Sequence, residues 1–178
     1  MKRTTYWINL LAGLVAVVFA TSCNDFLDVH PAGEVDESEQ FGSIRGYRNA
    51  MYGVYGSMAA TNLYGKNLGY GFVDQLGQQF GYDNTSETSY FVSQYNYLRS
   101  DVRAIVDGIW EGQYQTIAYA NNVLRNAENP QFDHKELAFM RGECYGLRAF
   151  LHFDLVRLFA EDYTRSNAST RGIPYATT

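Results

Sequence analysis

Apolar positions along the chain fall into two kinds of pattern, and the difference sorts the sequence into segments. Residues 10–20 form one uninterrupted apolar run behind Lys2 and Arg3. Further on, Phe41, Ile44, Tyr47, Met51, Val54 and Met58 recur at steps of three and four, the spacing of a helix with one buried face, which predicts a helix over 41–60. Gly42, Gly46, Gly53 and Gly56 each cost such a helix up to about 1 kcal/mol relative to Ala, so packing must supply its stability. Residues 61–98 hold no sustained period, although Phe72, Asp74, Gln75, Leu76 and Gln79 fit a short helix.

After Ser100 and Asp101, read as an N-cap, Ile105, Ile109 or Trp110, Tyr114, Ile117, Asn121 and Leu124 define a second long stripe. Pro130 closes it, because proline disfavours helix in the residue before it. Asp133 and Glu136 then have the spacing of a capping box. Leu137, Met140, Cys144, Leu147, Leu151, Leu155 and Leu158 follow as a third long helix to about Phe159. Phe139, Phe150 and Phe153 widen its apolar surface, so it is expected to pack on more than one side. The short turn over 126–132 makes the last two helices a hairpin, and the predicted class is all-α. Tetratricopeptide spacing is fragmentary: Gly142 and Tyr145, then Ala149 and Phe153, occur at the wrong mutual distance.

The opening run reads as a secretory signal. As a helix it rises only about 16 Å against roughly 30 Å of bilayer hydrocarbon, too short for a permanent span. Ala20, Thr21 and Ser22 lead straight into Cys23 and resemble a bacterial lipobox, in which the cysteine is acylated and becomes the new N-terminus. The commonest form of that box has Leu three residues before the cysteine, where this chain has Ala20. The other reading is an ordinary cleaved signal, which leaves Cys23 as a free thiol in an oxidising compartment. On the lipoprotein reading, several acyl chains at about 0.8 kcal/mol per buried methylene hold the mature protein on a membrane. Residues 1–22 are then the signal, and the acidic stretch 23–40, with Pro31 and Gly33, is an extended tether. The body spans 41–178.

Composition narrows the chemistry. A formal charge of −5, which becomes more negative once Lys2 and Arg3 are removed, offers no footprint for a phosphate backbone, so nucleic acid is not an expected partner. Two cysteines make no disulfide framework, three scattered histidines show no metal-ligand spacing, and neither a metal nor another cofactor is expected. Cys144, on the buried stripe, reads as a small apolar residue. Neither a serine–histidine–acid order nor a phosphate loop is present, and no catalytic residue is assigned. The basic residues Arg141, Arg148 and Arg157 share one helix, where a solvated face explains them and Arg157 can pair with Glu161.

The unusual feature is aromatic, with 15 Tyr and 11 Phe, and the irregular stretch concentrates it: Tyr64, Tyr70, Phe72, Phe80, Tyr82, Tyr90, Phe91, Tyr95 and Tyr97 lie among asparagines and glutamines. A sugar ring presents apolar C–H faces and a rim of hydroxyls, which suits aromatic faces beside amide donors and acceptors. Tyr82, Asn84, Tyr90 and Tyr95, in the most polar part, are the candidate ligand contacts. The alternative is that these rings pack the loop onto the helices. Trp110, Tyr114 and Asn121 share the apolar stripe and are assigned to the hairpin core.

Three stretches together resemble the SusD/RagB family of outer-membrane nutrient-binding lipoproteins. These are Cys23 to Asp28 with Pro31; Trp110, Tyr114, Ile117, Ala120 and Asn121; and Gly142, Glu143, Leu147, Arg148, Ala149 and Phe150 running into Phe153, Asp154, Leu155, Val156, Arg157, Leu158 and Phe159. Cys144, Tyr145, Gly146 and Ala160 depart from the family's usual residues without moving the frame. The resemblance implies an all-helical fold with tetratricopeptide-like hairpins, and a lipoprotein lipid-anchored in the outer membrane through acylated Cys23 and exposed at the cell surface. Its partners would be an oligosaccharide or other nutrient and a TonB-dependent outer-membrane transporter of SusC type, to which it hands the ligand. It also implies a longer protein, of which this chain would be the N-terminal part. A helical scaffold lipoprotein that contacts only other proteins is the alternative.

Overall fold

A computed structural model describes residues 36–128, 130–131 and 133–177. The signal segment and Cys23 lie outside the described residues, as does all but the last part of the acidic tether. Six helices make up the regular structure of the described residues, in the order α1 (Glu37–Gln40), α2 (Ile44–Met58), α3 (Phe72–Leu76), α4 (Thr88–Ser93), α5 (Ser100–Glu128) and α6 (Lys135–Phe159). No helix among them is long and apolar enough to cross a membrane. The class is all-α, as the periodicity predicts.

The long helices are placed by their stripes. Tyr47, Met51 and Val54 of α2 meet Ala120, Val123, Leu124 and Ala127 of α5 and Leu137, Met140 and Cys144 of α6 in one buried cluster. Cys144 is fully buried, its thiol against the Met51 sulfur at 3.3 Å, and burial pushes its pKa up to about 12, so it behaves as the small apolar residue the sequence implied. A second cluster joins Phe72 and Val92 to Val102 and Ile109, and a third seats Ile117 between Leu151 and Leu155. Complete burial of such side chains stabilises by about 1.5–3 kcal/mol each.

The ends of the elements differ from the sequence reading in instructive ways. α2 starts at Ile44 because Ser43 Oγ accepts from the Gly46 amide at 3.1 Å; Phe41 stays outside the helix yet buries itself against Tyr47 at 4.9 Å between ring centres. Residues 36–40 are not extended tether: Glu37–Gln40 form a helical turn, and Glu37 Oε1 accepts from Arg125 at 3.0 Å and Asn126 at 2.8 Å. α6 is capped by His134, whose Nδ1 accepts from the Glu136 amide at 3.2 Å, and not by Asp133; the Glu136 carboxylate is held by Arg48 instead. Arg157 pairs with Asp154 at 2.8 Å and not with Glu161, since the helix ends at Phe159, before Glu161.

The expected second packed side of α6 forms only in part: Phe150 meets Tyr64 with ring centres 5.2 Å apart, and Leu158 and Phe159 join the Phe72, Val92 and Ile109 cluster. Phe139 and Phe153 are 75% and 60% exposed, and with Gly142, Gly146, Ala149 and Val156 they form an exposed stripe at alternating steps of three and four. α5 and α2 pack on another face of α6 and leave this stripe exposed.

Candidate functional site

The site is built on the segment between α2 and α5. Residues 59–71 wind through successive turns against α5, pinned by Leu63, which is fully buried, and by Asn62, whose Nδ2 donates to the Gly108 carbonyl at 2.9 Å. Gly112 makes room for this approach: a Cβ there would stand 2.6 Å from Asn62 Nδ2 and 3.1 Å from a Leu63 methyl carbon, so Asn62 would have to swing away from Gly108. α3 follows and stops at Gly77, beyond which Gln78 takes the left-handed φ of 53°. α4, which the sequence reading did not foresee, is locked to the start of α5 by Thr88 Oγ1 donating to Asp101 Oδ2 at 2.6 Å. Asp101 is therefore a clamp more than a cap. Its bonds from Thr88 and Arg99 hold its carboxyl at about 2, well below the ordinary range.

Between the turns and α4 opens a polar trough of about 460 Å³, walled by Lys66, Asn67 and Gln75 on one side and Ser86, Glu87, Thr88 and Ser89 on the other, with Ile105 beneath. An adjoining cavity of about 330 Å³ shares Lys66, Asn67 and Ile105 and carries the trough on past Thr61, Asn62 and Gly108. Its lining is hydroxyls, amides, one ammonium and one carboxylate. That is a surface for a hydroxyl-rich ligand lying along it.

The four predicted contacts divide. Tyr82 and Tyr90 meet edge to face with ring centres 6.4 Å apart, Tyr90 meets Phe91 at 5.3 Å, and the Arg99 guanidinium lies 3.8 Å over the Phe91 ring. Both tyrosines are half-buried, and the Tyr82 hydroxyl is a buried oxygen with no partner among the described residues. Asn84 is exposed and builds a turn, its Oδ1 accepting from the Ser86 amide at 3.0 Å and the Ser86 hydroxyl at 2.7 Å. Tyr95 stands apart at the exit of α4. It is 53% exposed, has a left-handed φ of 55°, and donates its hydroxyl to the Leu76 carbonyl at 3.0 Å. On the α3 side, an apolar cavity of about 260 Å³ lies between Phe72, Leu76 and Tyr97 and the Leu158–Phe159 end of α6. The trough residues were missed because their signal was polarity alone, divided between Lys66, Asn67 and Gln75 and the run from Ser86 to Ser89.

Trp110, Tyr114 and Asn121 sit in the hairpin as expected, Asn121 buried and accepting from Arg148 at 3.0 Å. Arg148 is thereby drawn into the hairpin, not left to a purely solvated face. No group of acidic, histidine or cysteine side chains among the described residues could hold a metal ion.

Residues 25–178 match a SusD-like family model described as starch-binding and associating with the outer membrane. The chain belongs to the SusD-like family. SusD-like protein P2 of Formosa agariphila is 26% identical over an alignment that covers 95% of this chain and 33% of that relative. This SusD-like chain thus spans about a third of the length of the curated relative it matches. No solved structure matches it.

Proposed function

We propose that this SusD-like chain is part of a cell-surface nutrient-binding lipoprotein that holds a glycan and passes it to a TonB-dependent outer-membrane transporter of SusC type. The family match over 25–178 carries the reading. The trough supplies the chemistry: Asn67, Gln75, Ser86 and Ser89 offer hydrogen bonds to sugar hydroxyls and Lys66 a charged donor. Tyr90 follows Ser89 in α4 and does not itself line the trough, Tyr82 braces Tyr90, and Asn84 fixes the turn that presents Ser86. Tyr95 offers a separate ring beside the apolar cavity. The role is binding without bond cleavage, so no residue is assigned to catalysis and no cofactor is required.

Cys23 is the proposed acylation site, anchoring the protein in the outer membrane. Palmitate labelling in a bacterial host should mark the wild type and leave Cys23→Ala unlabelled; equal labelling of both would remove the anchor from the account. Retention of the chain by immobilised polysaccharide tests the binding role, with Ser86→Ala expected to weaken it about 2- to 10-fold for a lost neutral hydrogen bond and Lys66→Ala about 10- to 150-fold for a lost charged one.

A second reading, a scaffold that contacts only proteins, draws on the exposed Phe139 to Val156 stripe of α6. Capture of the transporter by a chain that retains no polysaccharide would favour it.

A further inference from the structure

After α6 the chain doubles back, and residues 172–177 lie across the α5–α6 hairpin. Tyr114 donates its hydroxyl to the Pro174 carbonyl at 2.7 Å, and Asn121 Nδ2 reaches the Ala176 carbonyl at 3.4 Å. The Ala176 amide donates to His152 Nε2 at 3.1 Å, and His152 Nδ1 lies 2.7 Å from the Arg148 carbonyl. Tyr175 packs on the imidazole with ring centres 4.5 Å apart, while Ile173 and Ala176 close over the Ile117, Leu151 and Leu155 cluster.

These partners fix the state of the ring. A backbone amide can only donate, so Nε2 must present its lone pair; a carbonyl can only accept, so Nδ1 must carry the hydrogen. The strap is therefore held by the neutral imidazole in one tautomer. A second proton on Nε2 sets two N–H groups against each other and removes the bond by which the Ala176 amide meets the hairpin. His152 is buried, which denies the unpaired donors water.

The groups packed around the ring offer no replacement for the lost acceptor. From its own helix come Arg148, whose guanidinium bonds Asn121, and Tyr145 beneath it at 5.4 Å. α5 contributes the Tyr114 ring at 6.3 Å, and Arg125 and Glu128 line the cavity shared with Arg148. The strap contributes Tyr175. Asp154 is turned away to Tyr64 and Arg157.

We propose that residues 172–177 form a proton-released latch: neutral His152 holds the strap on the hairpin, and uptake of a second proton by its ring frees the strap and uncovers the Ile117–Leu151–Leu155 surface. This does not depend on what the trough binds.

Nuclear magnetic resonance on the 178-residue chain tests it in two steps. At about pH 7.5 the His152 nitrogen shifts should report hydrogen on Nδ1; hydrogen on Nε2 would overturn the latch. The protection factor of the Ala176 amide should then fall at least about tenfold between about pH 7.5 and about pH 5, which brackets the ordinary imidazole range, while Ile117 and Leu151 stay protected. In His152→Gln, whose amide oxygen can accept in place of Nε2 but cannot titrate, the protection should be flat over the same range. Unchanged protection in the wild type, or the same fall in His152→Gln, would overturn the proposal. The tautomer measurement needs no variant and decides the matter even where the substitution prevents folding.

Discussion

Tyr64 donates its hydroxyl to Asp154 across 2.8 Å, joining the turn-rich segment beside the trough to the last turns of α6. Gln113 Nε2 reaches the same hydroxyl at 3.4 Å, and Arg157 holds the other carboxylate oxygen at 2.8 Å. Asp154 is only 8% exposed, so its two oxygens rely on Tyr64 and Arg157 for hydrogen bonds. Tyr64→Phe leaves one carboxylate oxygen without its donor and should cost about 1–3 kcal/mol in a urea titration. Burial, followed by the bond to Asp154, raises the Tyr64 pKa well above the usual tyrosine range. Stability from that bond is present below the ordinary tyrosine pKa and is lost as the pH rises through about 10 and beyond, so Tyr64→Phe should lose less stability than the wild type between about pH 9 and about pH 11.

Gly112 is required by proximity, since a methyl group there meets Asn62 at 2.6 Å and Leu63 at 3.1 Å. Gly112→Ala should therefore destabilise by about 1–3 kcal/mol despite alanine's better helix propensity. Gly53, which has open space around its Cβ position, provides the contrast: Gly53→Ala should be neutral or stabilising by up to about 1 kcal/mol. Thermal melts of the two variants check the pair.

Asp101 fastens α4 to α5, and Thr88 and Arg99 hold its pKa at about 2, below the usual 3.8. A depressed carboxyl stabilises the fold above its unfolded pKa and loses that contribution as the pH falls from about 4 toward 2. Amides of α4 should lose protection over that interval in the wild type. Asp101→Asn should show weaker protection already at neutral pH and little further change from this source.

The three long helices were legible because each buries one face, so Tyr47, Met51 and Val54, then Ile109 and Ile117, then Cys144 and Leu151, recur with the helical period. α4 was not, because its six residues hold too little of that period and its position rests on a tertiary bond, Thr88 to Asp101. Helix caps depend on which side chain reaches an amide, and His134 does so where Asp133 has the more familiar cap chemistry. The aromatic density of 61–98 pointed to the right segment, but most of its rings hold the segment together: Tyr82 leans on Tyr90, and Tyr95 ties itself to Leu76. The polar side chains of the trough have no period to betray them. They meet only because Asn62 and Leu63 bring the turns onto α5.

The trough beside Lys66 and Ser86 is the proposed glycan site. Electrophoresis of the folded chain through gels carrying soluble starch, and in parallel a panel of other neutral and anionic polysaccharides, tests it most directly. At least one polysaccharide should retard the chain, with the retardation relieved in Lys66→Ala and Ser86→Ala while Phe139→Ala, on the exposed stripe of α6, migrates as the wild type does. Free migration through every gel by a chain whose helices are intact, or retardation that the two trough variants leave unchanged, would contradict it.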